Sequence, residues 1–315
     1  MLHDNGKTII IDNSGYSNIE ECHRKADYYL MERRELDQNK DALVFGTNIH
    51  TALEARYRIS TDMLSDVEQS TVFATLSDSF MTNPVSEANY RNLDYAHRLM
   101  KKYLSEYPRE SFDIMMVEGK PQLEVTFALP LGLIGDIQVI ITGKIDLIYR
   151  RGESYGIMDH KTSSVLGPTY YESLDMSTQP MTYLWAAKQI YGPPADIVFN
   201  VVGTRAPRKD GSINFEFTRH QIAYNPEKIE EWRQEVLTNI AVYHSLYQQG
   251  KTTRNTNQCI GKYGRCPYLD VCSLPKNQRM QMLQSNLYKD VTWNPLETEG
   301  SIHKEKPTTP NLTQL

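Results

Sequence analysis

Residues 137–149 (IQVIITGKIDLIY) and 154–161 (SYGIMDHK) decide the fold of this chain. Both segments are rich in β-branched and aromatic residues, which favour strands, and residues 150–153 between them have the composition of a turn. They therefore predict two neighbouring strands of a hairpin. Because side chains alternate between the two faces of a strand, Asp159 and Lys161 are expected on one face.

Asp146 lies on the first of these strands and is expected close to Asp159 and Lys161 if the hairpin forms. Carboxylates suit a hard divalent ion such as Mg²⁺, and a lysine beside them stabilises developing negative charge. Such a cluster indicates metal-assisted phosphodiester hydrolysis. Taken alone, an Asp-x-Lys sequence is more often a solvated strand face, so the interpretation depends on the surrounding residues.

Two upstream segments carry further candidates. Residues 122–129 alternate between apolar and polar, which indicates a strand with Glu124 on its polar face. Glu124 either joins the acidic surface or faces solvent on an edge strand, and the sequence leaves both open. Residues 41–58 predict a helix on which Gly46 and His50 share a face. A glycine inside a helix often permits a close approach, and His50 is either a packed residue or a metal ligand.

A second helix is predicted downstream, over residues 178–191. Pro180 fits its first turn. Gln179 and Tyr183 are four residues apart and therefore share a face of this helix. They are either a helix start and a tyrosine at the rim of the core, or part of the site.

The order of these residues resembles the RecB-type branch of the PD-(D/E)XK nucleases. That branch has a Gly-x-x-x-His helix, a Gly-x-x-Asp strand, an Asp-x-Lys-Thr strand and a helix with Gln-x-x-x-Tyr. This chain has all four elements, including Thr162 after Lys161. The pattern departs from the superfamily name in one respect, because Ile145 and not proline precedes Asp146, as in many members of this branch.

The resemblance implies a set of roles for the candidate residues. The metal ligands would be His50, Asp146, Asp159 and the backbone carbonyl of His160, with Glu124 as a further member of the catalytic group. Lys161 would position the attacking water or stabilise the transition-state charge. Gln179 and Tyr183 would contact DNA or support the site. The metal would be Mg²⁺ or Mn²⁺.

The chain has four cysteines, at positions 22, 259, 266 and 272. Three of them cluster in a segment that reads as a loop, and clustered cysteines without a secretory start indicate a metal or an iron–sulfur cluster. One N-terminal and three C-terminal cysteines resemble the iron–sulfur subset of the same branch, which includes AddB-type subunits and CRISPR-associated RecB-like nucleases. The resemblance implies a structural [4Fe–4S] cluster on Cys22, Cys259, Cys266 and Cys272, and a structural Zn²⁺ is the alternative. The six residues between Cys259 and Cys266 depart from the two that are typical of those relatives.

The predicted fold is α/β, with a central mixed β-sheet flanked by helices as in a restriction-endonuclease-like core. The four-cysteine cluster would clasp its N- and C-terminal segments. We expect an N-terminal segment over residues 1–17, a nuclease domain with helical insertions over 18–290, with its iron–sulfur segment at 259–272, and a disordered tail over 291–315. The first helix is expected near residues 18–36, opened by a capping box at Ser17 and Glu20.

Composition bounds the function. The formal charge of −5 argues mildly against broad nucleic-acid affinity, and no apolar run reaches the roughly 20 residues of a membrane span. No signal peptide is visible, so the expected location is the cytoplasm of a bacterium, or of the host for a phage protein.

The expected partner is DNA, single-stranded or with free ends, and a helicase, recombinase or single-strand-binding protein is a possible further partner. The alternatives to a nuclease are a non-catalytic DNA-binding scaffold in a recombination or replication complex and an unrelated zinc-binding interaction protein. The expected function is that of a metal-dependent DNA nuclease, an exonuclease on single-stranded DNA or DNA ends in recombination, repair or replication. The sequence does not exclude endonuclease action and does not set the polarity.

Overall fold

The computed structural model describes residues 2–3, 6–38, 40–261 and 264–291. In these residues the fold is mixed α/β, with a central mixed sheet flanked by helices. The α-helices are α1 Asn13–Glu21, α2 His23–Ala26, α3 Asp41–Ile59, α4 Asp66–Thr82, α5 Leu93–Glu106, α6 Pro168–Asp175, α7 Thr178–Tyr191, α8 Pro226–Gln248, α9 Leu269–Ser273 and α10 Arg279–Leu283.

The strands lie between groups of these helices along the chain. They are β1 Leu2–His3, β2 Thr8–Asp12, β3 Arg34–Leu36, β4 Asp113–Ile114, β5 Met116–Val117, β6 Lys120–Pro121, β7 Leu123–Ile134, β8 Ile137–Arg151, β9 Ser154–Ser163, β10 Asp196–Gly203, β11 Phe217–Ala223, β12 Ile260–Gly261, β13 Gly264–Arg265 and β14 Tyr288–Asp290. The chain divides into two compact units. One takes the described residues of 1–39, 126–143 and 226–315, and the other takes 40–125 and 144–225.

The unit of residues 40–125 and 144–225 is built on a mixed sheet. Strands β8 and β9 are antiparallel, from Leu147 opposite Met158 to Arg151 opposite Ser154, which confirms the predicted hairpin. Strand β9 runs parallel to β10 after a helical crossover through α6 and α7, and β10 is antiparallel to β11. Every residue of β10 is buried, as expected of a strand covered on both faces.

Helices α3, α4 and α5 of this unit share one apolar core. Its buried members include Phe45, Ile49, Leu53, Val72, Leu76, Tyr95 and Leu99. Burying side chains of this size contributes about 1.5–3 kcal/mol each. The burial fixes the rotation of α3, so that Gly46 and His50 line a cavity on the opposite side from the core.

The other unit joins the two ends of the chain. Strand β2 lies parallel to the first part of β8, from Thr8 opposite Gln138 to Asp12 opposite Thr142. Strand β3 pairs with β14, and an aromatic cluster packs around Val271 and Leu283. The two ends are therefore held by strand pairing and apolar packing. No helix among the described residues is long and apolar enough to cross a membrane.

The predicted first helix over residues 18–36 is wrong in its bounds. Helix α1 begins at Asn13, because the Asp12 side chain accepts the backbone N–H of Gly15 at 2.7 Å and caps the helix there. Ser17 consequently lies inside the helix and is no cap. Cys22 has extended backbone (φ −168°, ψ 117°) and separates α1 from α2. A π-helical turn over Asp27–Met31 and strand β3 replace the rest of the predicted helix.

Smaller differences have local causes. Helix α5 begins seven residues later than the predicted residue 86, because the Asn92 side chain caps it by accepting the N–H of Tyr95. Strand β2 was not predicted at all. Of the expected tail over 291–315, residues 292–315 lie outside the described residues.

Candidate active site

The two candidate aspartates lie where strands β8 and β9 stop pairing. The last pair is Leu147 with Met158, and the next residues toward the open end are Asp146 and Asp159. Here the Asp146 carboxylate Oδ2 accepts the backbone N–H of His160 at 2.7 Å, so a side chain provides the link between the two strands. Asp146 is 8% exposed and Asp159 is 2% exposed.

Burial makes this carboxylate pair electrostatically costly. The pKa of Asp146 is raised well above its usual value, first by desolvation and next by the negative charge of Asp159. The His160 N–H lowers it only in part. A cation beside the pair would relieve both effects.

His50 reaches the same place from helix α3. Its Nδ1 lies 3.5 Å from Asp146 Oδ2. Desolvation lowers the His50 pKa to about 4, against the attraction of Asp159. The imidazole is therefore neutral at neutral pH, which is the form that binds a metal ion.

Gly46 explains how α3 comes so close to strand β9. A Cβ atom built on Gly46 would lie 2.9 Å from Thr162 Oγ1, which is closer than real Cβ contacts. The glycine of Gly-x-x-x-His and the threonine of Asp-x-Lys-Thr are thus in contact. The predicted close approach is a contact between the two motifs.

Lys161 lies beside Asp159, as strand alternation predicted. Its Nζ is 2.6 Å from Asp159 Oδ2 and donates to Gln179 Oε1 at 2.7 Å. Asp159 Oδ2 is buried and has, among the described residues, no hydrogen bond besides this ion pair. This buried oxygen therefore keeps an unused capacity to accept, which a bound cation would satisfy.

Gln179 joins three members of the site from helix α7. Its Nε2 donates to Tyr183 Oη at 2.9 Å and, less closely, to Asp159 Oδ1 at 3.4 Å. Its Oε1 accepts from Lys161. The amide is therefore oriented by a charged donor on one side and acceptors on the other. The structure brings Gln179 and Tyr183 to the site in a supporting position.

Glu124 lines the cavity of the site. Its carboxylate forms an ion pair with Lys144, and desolvation raises its pKa. Its backbone has φ +52°, in the left-handed region that non-glycine residues rarely occupy. The edge-strand alternative, a merely solvent-facing side chain, is disfavoured because only 21% of the side chain is exposed.

Most of the candidate residues line one cavity of about 490 Å³, whereas Asp159 is buried and reaches the site through its ion pair with Lys161. The lining of this cavity includes Gly46, His50, Glu54, Glu124, Lys144, Asp146, His160, Lys161 and Thr162. The sequence prediction gave no role in this site to Lys144 or to Glu54, although Glu54 shares the helix face of Gly46 and His50. The signal for Lys144 was its position two residues before Asp146, which places both on one face of β8.

The His160 side chain belongs to a buried network behind the site. Its Nδ1 lies 2.9 Å from Asn200 Nδ2, and its ring stacks on Tyr57. Arg219 holds Asn200 Oδ1 at 2.8 Å and pairs with Glu110 at 2.9 Å. Desolvation and the nearby cations lower the His160 pKa well below its usual value. The neutral ring fixes the backbone whose N–H binds Asp146.

The donor set of the site fits a hard divalent ion. Two buried carboxylates, a neutral imidazole and the backbone at His160 are typical oxygen and nitrogen ligands of Mg²⁺ or Mn²⁺. Within the described ranges, no three His, Cys, Asp or Glu side chains already stand in metal-binding geometry. The Lys161 ammonium occupies the space beside Asp159.

The four cysteines meet in the other unit. Cys22, Cys259, Cys266 and Cys272 all line one cavity of about 430 Å³, and none of them forms a disulfide. The Asn255 N–H points to Cys22 Sγ at 3.3 Å, and the Cys266 N–H donates to the Cys259 carbonyl at 2.9 Å. Burial raises the pKa of the Cys266 and Cys272 thiols.

A buried carboxylate pair lies with a lysine and a histidine where two strands of a mixed sheet separate. This combination is typical of α/β nucleases. The sequence model of the PD-(D/E)XK nuclease superfamily matches residues 13–273, and the chain belongs to that superfamily. A restriction-endonuclease-like core is consistent with this membership. Members of the superfamily generally use Mg²⁺ or Mn²⁺.

One solved structure agrees with the fold. A proposed exonuclease from Eubacterium rectale is similar with a TM-score of 0.50 and 14% identity, over 88% of this chain and 93% of that one. The structure of SSO0001 has a TM-score of 0.28 and 12% identity, over 76% and 78% of the two chains. Protein VC1899 from Vibrio cholerae has a TM-score of 0.20 and 11% identity, over 75% of this chain and 58% of that one. The last two likenesses are too weak to support an argument. Curated protein sequences gave no significant match.

Proposed function

We propose that this chain is a Mg²⁺- or Mn²⁺-dependent deoxyribonuclease of the RecB-like branch. Its substrate is single-stranded DNA or DNA ends, in recombination, repair or replication. The observation that carries the proposal is the convergence of His50, Asp146 and Lys161 on one open cavity, with Asp159 buried against Lys161. Superfamily membership and the likeness to a proposed exonuclease support it.

The chemistry assigns a part to each residue. His50, Asp146, Asp159 and the His160 carbonyl would hold the ion, with Glu124 at the edge of the same cavity. A bound ion supplies a water of lowered pKa and polarises the scissile phosphate. Lys161 orients the attacking water and balances negative charge in the transition state. Gln179 keeps the Lys161 ammonium in place through its 2.7 Å hydrogen bond.

A digestion of end-labelled DNA tests this function. Native chain with Mn²⁺ is expected to shorten single-stranded DNA, and Lys161→Ala is expected to lower the rate at least about 10²-fold. The matched control is Lys102→Ala, which removes an exposed lysine paired with Glu106 at 3.2 Å. DNA binding by native chain without any cleavage would favour the non-catalytic scaffold. Equal cleavage by native chain and Lys161→Ala would remove Lys161 from the catalytic role.

We further propose that residues 18–290 act as one nuclease domain and that its four cysteines bind a structural [4Fe–4S] cluster, with Zn²⁺ as the alternative. The support is that all four thiols line one cavity. Arg254 lines it too, and its positive charge would offset part of the negative charge of a thiolate-bound cluster. Lys25 and Arg265, which also line it, are already paired with Glu21 and Asp270. Protein purified without oxygen is expected to be brown, to absorb near 400 nm and to contain about four irons per chain.

Removal of one ligand gives the control. Cys272→Ala is expected to lose iron and to yield insoluble or clipped protein. Colourless native protein with one zinc per chain would favour the alternative. A soluble, fully active and colourless Cys272→Ala variant would contradict a structural cluster of either kind.

A further inference from the structure

A row of polar side chains crosses three strands behind the candidate active site. His160 on β9 is paired directly with Asn200 on β10, and Asn200 is paired directly with Arg219 on β11. Residues opposite each other in a sheet present their side chains on one face. Asn200 Nδ2 lies 2.9 Å from His160 Nδ1, and Arg219 Nε donates to Asn200 Oδ1 at 2.8 Å. The row therefore links the strand of the candidate site to a strand two positions away.

Side chains from helices α3 and α5 and from the segment before β4 complete this network. Arg219 pairs with Glu110 at 2.9 Å and donates to the hydroxyls of Tyr57 and Tyr103 at 3.2 Å. Tyr57 donates to Glu110 at 2.8 Å, and Asn200 Nδ2 donates to Tyr103 at 2.9 Å. None of the buried side-chain atoms of these described residues lacks a hydrogen-bond partner. A network satisfied in this way holds its members in one arrangement.

Folding stability alone does not explain an ion pair in this place. Asn200 is fully buried, and the Glu110 side chain is 5% exposed. A buried ion pair loses its hydration, so its replacement by apolar side chains of similar volume often leaves stability unchanged or raises it. The Arg219–Glu110 pair therefore points to a role other than stability.

The row ends at a residue that both candidate strands need. The backbone N–H of His160 donates to the Asp146 carboxylate at 2.7 Å. At this point β9 has left β8, since their pairing stops at Met158, but β9 stays paired with β10 as far as Ser163. The place of this part of β9 is consequently set from the β10 side, where the Asn200 side chain holds the His160 ring.

We infer that Arg219 is a positioning residue of the active site. Arg219 orients the Asn200 amide, the amide holds the His160 ring, and the ring fixes the backbone that binds Asp146. The affinity of the site for a divalent ion thus depends on a side chain two strands away from the candidate ligands. This inference rests on the proposed metal-dependent nuclease function.

The test measures Mn²⁺ binding by the full chain without DNA, from the EPR signal of the free ion. Arg219→Met is combined with Glu110→Leu, so that neither charge stays buried without its partner. The Tm of this double variant without divalent ions is expected to equal or exceed that of native chain. Its dissociation constant for Mn²⁺ is expected to rise about 10-fold or more. Asp146→Asn measures Mn²⁺ bound elsewhere in the chain, which is subtracted.

The matched control is Gln221→Met. Gln221 lies two residues from Arg219 on the same face of β11, but it donates to Asp196. This control is expected to leave the Mn²⁺ affinity unchanged. Arg219→Lys keeps the test decisive if the double variant does not fold. It keeps a charge beside Glu110 but lacks the rigid fork that binds Asn200 as well, and the dissociation constant is expected to rise about 10-fold.

The outcomes separate this inference from the function on which it rests. Equal Mn²⁺ binding by native chain and Asp146→Asn would overturn both the proposed metal site and the inference. If native chain binds Mn²⁺ at Asp146 and a folded double variant or Arg219→Lys has the same affinity, the inference alone is wrong. An equal loss of affinity in Gln221→Met and Arg219→Lys would also overturn it, because a general loosening of the sheet predicts that result.

Discussion

The Asp146 carboxylate accepts the backbone N–H of His160 at 2.7 Å, at the point where strands β8 and β9 separate. One oxygen of a candidate metal ligand thus also holds the strand that carries Asp159 and Lys161. The position of strand β9 at the site therefore depends on the Asp146 carboxylate. This hydrogen bond predicts that a substitution of Asp146 changes stability differently when the new side chain keeps a hydrogen-bond acceptor and when it does not.

Asp146→Asn is expected to abolish cleavage and to stabilise the metal-free protein at neutral pH. The raised pKa means that the folded state binds this proton more tightly than the unfolded state, so native stability falls as pH rises above about 4. Asparagine keeps the acceptor for His160 and carries no charge. Differential scanning fluorimetry in EDTA is expected to show a Tm about 2 °C or more above native at pH 7.5.

Two comparisons make that prediction strict. The Tm difference is expected to shrink as pH falls toward 4, where the native Asp146 is neutral too. Asp146→Ala, which has no acceptor, is expected to be less stable than Asp146→Asn. If Asp146→Asn is less stable than native chain at every pH, the buried charge of Asp146 does not lower the stability of the native chain.

His50 is expected to stay neutral well below the usual histidine range. Its pKa is lowered to about 4 by burial, so the unfolded state binds the proton first, and this residue removes stability as pH falls from about 6.5 toward 4. Ring-proton NMR of metal-free protein is expected to show no titration of His50 between pH 8 and 5. His50→Gln assigns the resonance, and a midpoint near 6.5 would contradict the prediction.

The contact between Gly46 and Thr162 is expected to reverse the usual effect of alanine in a helix. Alanine normally gains about 1 kcal/mol over glycine, but its Cβ would lie 2.9 Å from Thr162 Oγ1. Overpacking of this kind costs about 1–3 kcal/mol. Gly46→Ala is therefore expected to destabilise the native chain and to stabilise the Thr162→Ala variant, as measured by urea unfolding. Equal effects in both backgrounds would rule out the contact.

Gln179→Leu is expected to slow cleavage about 10–10²-fold, because the Lys161 ammonium loses its 2.7 Å partner and Tyr183 loses a donor. Tyr183→Phe removes only one hydrogen bond of Gln179 and serves as the milder control, with a loss of less than about 10-fold. Steady-state kinetics with Mn²⁺ measures both. If the two variants are equally active, Gln179 does not position Lys161.

Much of the site could be predicted from the sequence because its motifs are local. Period-two alternation places Asp159 with Lys161, and helical spacing places Gly46 with His50 and Gln179 with Tyr183. These relations follow from backbone geometry inside one element. The hairpin of β8 and β9 was also predicted correctly, since a short turn leaves little choice of partner.

The predictions were wrong where a capping side chain or a distant strand partner sets the bounds of an element. Asp12 begins helix α1 five residues before the predicted start. Strand β2 pairs with β8, more than 120 residues away, and no local sequence pattern predicts such a pairing. Lys144 was missed because a lone lysine in a strand is usually solvated, and only its pairing with the strained Glu124 marks it.

The sequence by itself determined the residue types, their spacing within each element and membership in the class of mixed α/β nucleases, because these depend on short-range periodicity and on matched motifs. Only the tertiary structure decided that Asp146 binds the His160 backbone, that Gly46 contacts Thr162 and that Glu124 turns toward Lys144. Each of these contacts joins two different elements of the fold. Their geometry is set by how the helices and strands bury their apolar faces, which no single segment encodes.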